Sequence, residues 1–225
     1  MPPSEGSHVL SAVLFDMDGT LTDTERLWAL ALDDVAAELG GVISPGCKAA
    51  MVGLPVQPTV VRVHEELGLT RDWRSTAADL SQRAAHYYRR ELPWRPGAAA
   101  LLAAVRADGL ATALVTATER DLVELALDTL GRDNFDVVVT GDDVSVGKPD
   151  PEPYRRALDQ LGVDARSALA LEDSPTGVAA AVAAGLTVLV VPCEIPVPAG
   201  QGRVFLESLH GVDVERLRRA HASSS

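Results

Sequence analysis

The chain has 225 residues, of which 47% are hydrophobic and only 4% aromatic, enough for one sizeable, mainly aliphatic core plus an inserted unit. Its formal charge of −12 excludes a general affinity for nucleic acid or an anionic membrane, so an anionic ligand would need a locally positive pocket. Cys47 and Cys193 fit neither a metal-ligand spacing nor a disulfide framework, and Met1 to His8 has no basic patch leading into a long apolar run. A soluble cytoplasmic protein, monomeric or homodimeric, is the expectation.

The first predicted element is the apolar run Val9 to Phe15, which reads as a buried central strand. It runs straight into Asp16-Met17-Asp18-Gly19-Thr20-Leu21. Two carboxylates one residue apart thus emerge at the carboxyl edge of a strand, where open α/β sheets bind ligands, and side chains at i and i+2 of an extended segment point the same way. Two such groups about 4 Å apart repel by roughly 4 kcal/mol at an effective dielectric near 20. A divalent cation would offset this and leave one carboxylate able to attack, whereas a shared proton would make an acid/base dyad. Gly19 permits a tight turn, and Thr20 adds a hydroxyl and an N–H where an anion could sit. Taken locally, an ordinary Asp-Gly turn closing a strand accounts for the same residues.

From Asp23 to about Leu92 the pattern is helical. One stretch runs from Thr24 to Leu39 with Gly40-Gly41 as its stop, another from Thr59 to Leu67 ended by Gly68, and a third from Thr76 to Leu92. No strong strand interrupts them, so the segment reads as an inserted helical bundle.

From Pro93 strands and helices alternate: helix Ala98 to Ala107, strand Leu110 to Val115, helix Glu119 to Leu130, strand Phe135 to Val139, helix Pro151 to Leu161, strand Ala168 to Leu171, helix Thr176 to Ala184, strand Thr187 to Val191. This alternation predicts a doubly wound, Rossmann-like α/β parallel-sheet core with right-handed crossovers and an inserted α-helical cap domain. The expected division is 1–22 core, 23–92 cap and 93–225 core.

In such a sheet the residues closing each strand gather at one rim. They are Thr116, with Ala117 and Thr118 behind it; Gly147-Lys148-Pro149-Asp150 on a proline-stiffened loop; and Glu172-Asp173-Ser174. Singly each could cap a helix or face solvent. Together with Asp16 and Asp18 they place acids, a hydroxyl and an ammonium at one edge. Of the 20 basic residues only Lys48 and Lys148 are lysines, which fits sites where a compact ammonium is needed and a planar fork would not fit.

On these four motifs, completed by Gly177 and Ala183-Ala184-Gly185, the chain resembles the haloacid dehalogenase superfamily, in its helical-cap phosphatase and β-phosphoglucomutase-like branch. The resemblance implies that Asp16 is a nucleophile forming an aspartyl-phosphate, and that Asp18 is the acid that protonates the leaving oxygen and then the base that activates water. It implies Mg²⁺ at Asp16, Asp18 through its backbone carbonyl, and Asp173, with Glu172 a direct or indirect partner. Met17, Asp18 and Ala117, through their N–H groups, with Thr116 and Lys148, would hold the phosphoryl oxygens. Asp23, Lys48 and Gly53 in the cap are candidates for facing the leaving group. The expected substrate is a small phosphomonoester, such as a sugar phosphate, hydrolysed by a Mg²⁺-dependent phosphatase.

Two alternatives carry different marks. A phosphosugar mutase of the β-phosphoglucomutase type would place a histidine where Trp28 stands and cations near Val52 and Val56. A non-catalytic phospho-ligand binding module would be expected to have lost Asp16. Dehalogenase chemistry needs neither Asp18 nor Asp173.

Overall fold

The computed structural model describes residues 8–51, 54 and 56–223. Among these, β1 (Ala12–Phe15), β2 (Ala111–Val115), β3 (Val137–Val139), β4 (Ala168–Glu172), β5 (Thr187–Val190) and β6 (Arg203–Phe205) form a sheet of order β3-β2-β1-β4-β5-β6. Every pairing is parallel. The chain winds outward from β1 first in one direction and then, through β4, in the other, which makes the β1/β4 boundary the topological switch point where ligands bind.

The register explains how so few aromatic residues suffice. Leu14 lies opposite Ala113 and Ala170, whereas Phe15 lies opposite Leu114 and Leu171. One face is therefore shallow and the other deep. Helices α7 (Glu152–Leu161) and α8 (Pro175–Ala183) lie close over the shallow face, where Tyr154, Ala157, Val178 and Ala181 pack on Leu14, Ala113 and Ala170. The deep face packs with residues of α5 (Ala98–Ala107), α6 (Arg120–Leu130) and α9 (Val214–Ala222). Each large aliphatic side chain removed from water in this way contributes roughly 1.5–3 kcal/mol.

Between β1 and α5 stand α1 (Glu25–Glu38), α2 (Pro45–Met51), α3 (Val56–Leu67) and α4 (Trp73–Arg90). Leu27, Ala31 and Val35 of α1 share an apolar cluster with Val60 and Val63 of α3 and with Leu80 and Ala84 of α4. The chain enters and leaves this bundle by adjacent crossings: the Asp23 N–H donates to the Pro93 carbonyl at 2.8 Å, and the Arg95 N–H donates to the Leu21 carbonyl at 2.8 Å. No helix among the described residues is long and apolar enough to cross a membrane.

Three elements have no counterpart in the sequence reading: α2, β6 and α9. Helix α2 has only one buried residue, Met51, and β6 is three residues long in a stretch dense in proline and glycine, so neither leaves a periodic signal. The first strand begins at Ala12 rather than Val9, which is 76% exposed. Helix α4 starts at Trp73 rather than Thr76 because the Asp72 carboxylate caps the Arg74 N–H.

Candidate active site

Asp16 is the first residue past β1, and its N–H still donates to the Leu171 carbonyl of β4, so the side chain is delivered at the switch point. The chain then turns sharply. The Met17 carbonyl accepts from the N–H groups of Leu21 and Thr22 and from the Thr22 hydroxyl. Gly19 has a φ of 83°, and a Cβ there would collide with the Asp173 carboxylate. Only glycine lets this turn approach Asp173. The Thr20 hydroxyl is buried and donates to Asp173 Oδ1 at 3.4 Å, because the turn folds it inward.

Lys148, on the loop between β3 and α7, places its ammonium 2.7 Å from Asp16 Oδ1, 2.7 Å from Glu172 Oε1 and 2.9 Å from the Val115 carbonyl. Each of its three protons has an acceptor. Burial works against this charge, but Asp16 and Glu172 outweigh it and hold the ammonium above the usual lysine range. Glu172 is fully buried, and both its oxygens are committed within the protein. Oε1 accepts from Lys148 and from the Tyr154 hydroxyl at 2.7 Å, while Oε2 accepts from the Ser174 hydroxyl and the N–H groups of Asp173 and Ser174. Gly177 is required beside it, since a Cβ there would strike the carboxylate.

Asp16, Glu172 and Asp173 each bring a carboxylate oxygen to within 4.8 Å of the others. With all three ionised, three carboxylates against one ammonium would leave two negative charges uncompensated, which is the charge of one divalent cation. Burial first, then Glu172 and Asp18, push the Asp16 carboxyl up to about 7 in spite of Lys148. Burial, Asp16 and Glu172 push Asp173 up to about 9. Asp16 Oδ2 is buried without a hydrogen-bond partner, although Oδ1 is held by Lys148. An orphaned carboxylate oxygen beside a second carboxylate and a two-charge deficit fits a hard, oxygen-seeking cation such as Mg²⁺. Asp18 contributes no side-chain oxygen to this group.

These shifts predict an inverted pH dependence for the metal-free protein. Carboxyls held near 7 and 9 when folded, against 3.8 ordinarily, bind more protons folded than unfolded. Their contribution is complete below about pH 4 and is lost as pH rises through 7 and then 9. Thermal melts in EDTA should fall by several degrees between pH 5 and 9, the gain on adding Mg²⁺ should widen over that interval, and Asp173→Asn should flatten both trends. A Mg²⁺ gain that stays constant across the range would contradict the charge accounting.

Asp18 sits in a cage of hydroxyls. Its Oδ1 accepts from Thr24 at 2.7 Å and Tyr88 at 3.2 Å, and its Oδ2 from Thr116 at 3.0 Å and Thr118 at 2.7 Å. A hydroxyl can donate to a carboxylate or accept from a carboxylic acid, so the cage accommodates Asp18 in either protonation state. Tyr88 comes from α4 in the bundle, and Thr24 stands at the start of α1. The Thr116 hydroxyl is thus directed at Asp18. The N–H groups of Met17, Asp18 and Ala117 take no acceptor among the described residues. Thr24, Tyr88, Thr118 and Tyr154 were not foreseen in these roles. Thr118 and Thr24 adjoin motifs already singled out, but no local signal marks either tyrosine.

Asp16, Asp18, Thr116, Ala117, Lys148 and Asp173 open onto one cleft of about 770 Å³ between the sheet rim and the bundle. Asp23 and Lys48 line it too. Lys48 donates to Asp33 Oδ2 at 2.7 Å. Gly53, with Val52, lies outside the described residues.

The family model for haloacid dehalogenase-like hydrolases matches residues 13–191. The phosphoglycolate phosphatase of Rhodospirillum rubrum is 39% identical over 191 residues, covering 80% of this chain and 78% of that protein. The phosphorylated carbohydrates phosphatase of Thermotoga maritima is 32% identical over 178 residues, covering 79% and 82%. Among solved structures, CbbY of Rhodobacter sphaeroides in complex with xylulose-(1,5)bisphosphate is 30% identical with a TM-score of 0.80, covering 93% of this chain and 99% of that one.

Proposed function

The chain belongs to the haloacid dehalogenase-like hydrolases and is a phosphatase of small phosphorylated metabolites, and from that premise we propose that it works through a Mg²⁺-supported aspartyl-phosphate on Asp16. The observation that carries this reading is the asymmetry of Asp16: one oxygen is fixed by Lys148, and the other is buried and unpartnered at the cleft.

Asp16 attacks the phosphorus, the bond from phosphorus to the alcohol oxygen breaks, and Asp18 transfers its proton to that oxygen. Asp18, now a carboxylate, removes a proton from water as the water oxygen attacks the aspartyl-phosphate. The phosphorus–Asp16 bond then breaks, returning both carboxyl groups to their starting states and releasing inorganic phosphate. Lys148 and the N–H groups of Met17, Asp18 and Ala117 face the charge on the phosphoryl oxygens. Mg²⁺ would be held by Asp16, Asp173 and the Asp18 backbone carbonyl, and when bound it would neutralise the acid cluster so that a phosphate can approach. Glu172, with both oxygens occupied, serves as the anchor of Lys148.

We place the cap at 23–92, because the paired crossings at Leu21–Asp23 and Pro93–Arg95 are where two short connections can absorb a closing motion. The mutase reading gains no support from the cleft, where Trp28, a group that does not titrate, lines the wall. A binding module without chemistry would be expected to have lost Asp16, which is present.

Incubation with p-nitrophenyl phosphate tests the reading. Release of nitrophenol should require Mg²⁺ and drop by at least about 100-fold in EDTA, in line with the loss of a major electrostatic contribution. Equal release with and without the cation would overturn it.

A further inference from the structure

The rim motifs meet only the phosphoryl group, so the rest of the cleft decides which alcohol may carry it. That part of the wall is formed by Trp28, Leu32, Met51, Leu54, Leu80 and Leu122. Leu54 and Ile195, which both line the cleft, are each 37% exposed, so apolar surface is presented to whatever enters. The charged groups facing the same space are Asp23, Glu25, Glu119 and Glu194 against Arg26 and Lys48. Lys48 is neutralised by Asp33; Arg26, Glu119 and Glu194 are solvent-exposed, whereas Asp23 and Glu25 are half-buried. The residues between α2 and α3 that lie outside the described set, Val52, Gly53 and Pro55, carry no charge, so they cannot alter the balance. Burial first, and after it the neighbouring Asp18, Glu194 and Asp23, push the Glu25 carboxyl up to about 7.

We infer that the substrate is a phosphomonoester with a single phosphoryl group on an uncharged alcohol bearing an apolar face, and that a second phosphate or a carboxylate on the leaving group is rejected. The inference rests on the phosphatase reading and narrows its substrate class. An anionic leaving group would meet the half-buried carboxyls of Asp23 and Glu25 and the exposed carboxylates of Glu119 and Glu194 against one exposed guanidinium, an acidic surplus felt most strongly where the cleft is partly desolvated. An apolar face instead gains by covering Trp28 and the leucines.

The test compares 4-carbamoylphenyl phosphate with 4-carboxyphenyl phosphate, which match in size and differ by one negative charge, in the presence of Mg²⁺ and with Asp16→Asn as the background control. The neutral ester should have a kcat/KM at least about tenfold higher, equivalent to about 1.4 kcal/mol. The paired substitution Glu25→Gln with Glu194→Gln should narrow the ratio to within about threefold, and Trp28→Ala should raise KM for the neutral ester. A wild-type ratio below about three, or one favouring the carboxylate, overturns the inference and leaves the phosphatase reading standing. Hydrolysis of neither ester above the Asp16→Asn background overturns both.

Discussion

Asp16→Asn should abolish turnover, with kcat falling by at least about 10⁴-fold, as expected when the group that forms the covalent bond is lost from a unit whose members act together. The amide is neutral and too weak a nucleophile to displace an alcohol from phosphorus, so the loss belongs to the chemical step and KM should move little. Rapid quenching of the wild type during turnover should reveal a phosphoryl adduct on the peptide carrying Asp16, and the variant should show none. Folding should survive, because Lys148 keeps Glu172 and the Val115 carbonyl as acceptors when Asp16 loses its charge. Above about pH 7 in EDTA the variant should melt no lower than the wild type, since it lacks a buried carboxylate crowded by Glu172 and Asp18. Activity within tenfold of wild type would remove Asp16 from the mechanism.

How much of this was legible in the sequence follows from the range of the interactions involved. The central strand, the alternation of strands and helices and the inserted bundle each rest on local periodicity, and the parallel sheet followed from their order. The rim residues were legible because a parallel sheet delivers every strand end to one side, so Asp16, Thr116 and Asp173 could be grouped without coordinates. What could not be read were contacts set by packing across long separations. Tyr88 reaches Asp18 from 70 positions away, and its hydroxyl arrives only because α4 lies against α1. Tyr154 sits under Glu172 because the alanines of β1, β2 and β4 leave room on that face. The Thr20 contact was out of reach for a related reason: the turn that lets Gly19 approach Asp173 also rotates the next hydroxyl toward the same carboxylate. Strand β6 and helix α2 were too short for any periodicity to show.

Lys148→Met should be the most damaging single change to the fold and the site together. The Lys148 side chain is 6% exposed and its ammonium joins two buried carboxylates, so its removal leaves Asp16 and Glu172 facing each other with no counterion on that side. Breaking a buried pair in this way costs about 3–5 kcal/mol, which in a chain of this size lowers the melting temperature by roughly 6–20 °C. Activity should fall by about 10²–10³-fold, the range seen when one preorganised donor to a developing charge is lost. Lys148→Arg should not rescue either property. A planar fork of five donors cannot replace a point charge whose three protons go to Asp16, Glu172 and the Val115 carbonyl in different directions. The decisive comparison adds Glu172→Gln to Lys148→Met. Neutralising the stranded glutamate should restore much of the melting temperature, because the Tyr154 hydroxyl and the N–H groups of Asp173 and Ser174 can still be satisfied by an amide in that position or by its oxygen. It should restore no activity, because the charge that faces the phosphoryl group is still missing. Recovery of stability and activity together would mean that Lys148 acts only as structural ballast for Glu172, and its assignment to the phosphoryl group would have to be withdrawn.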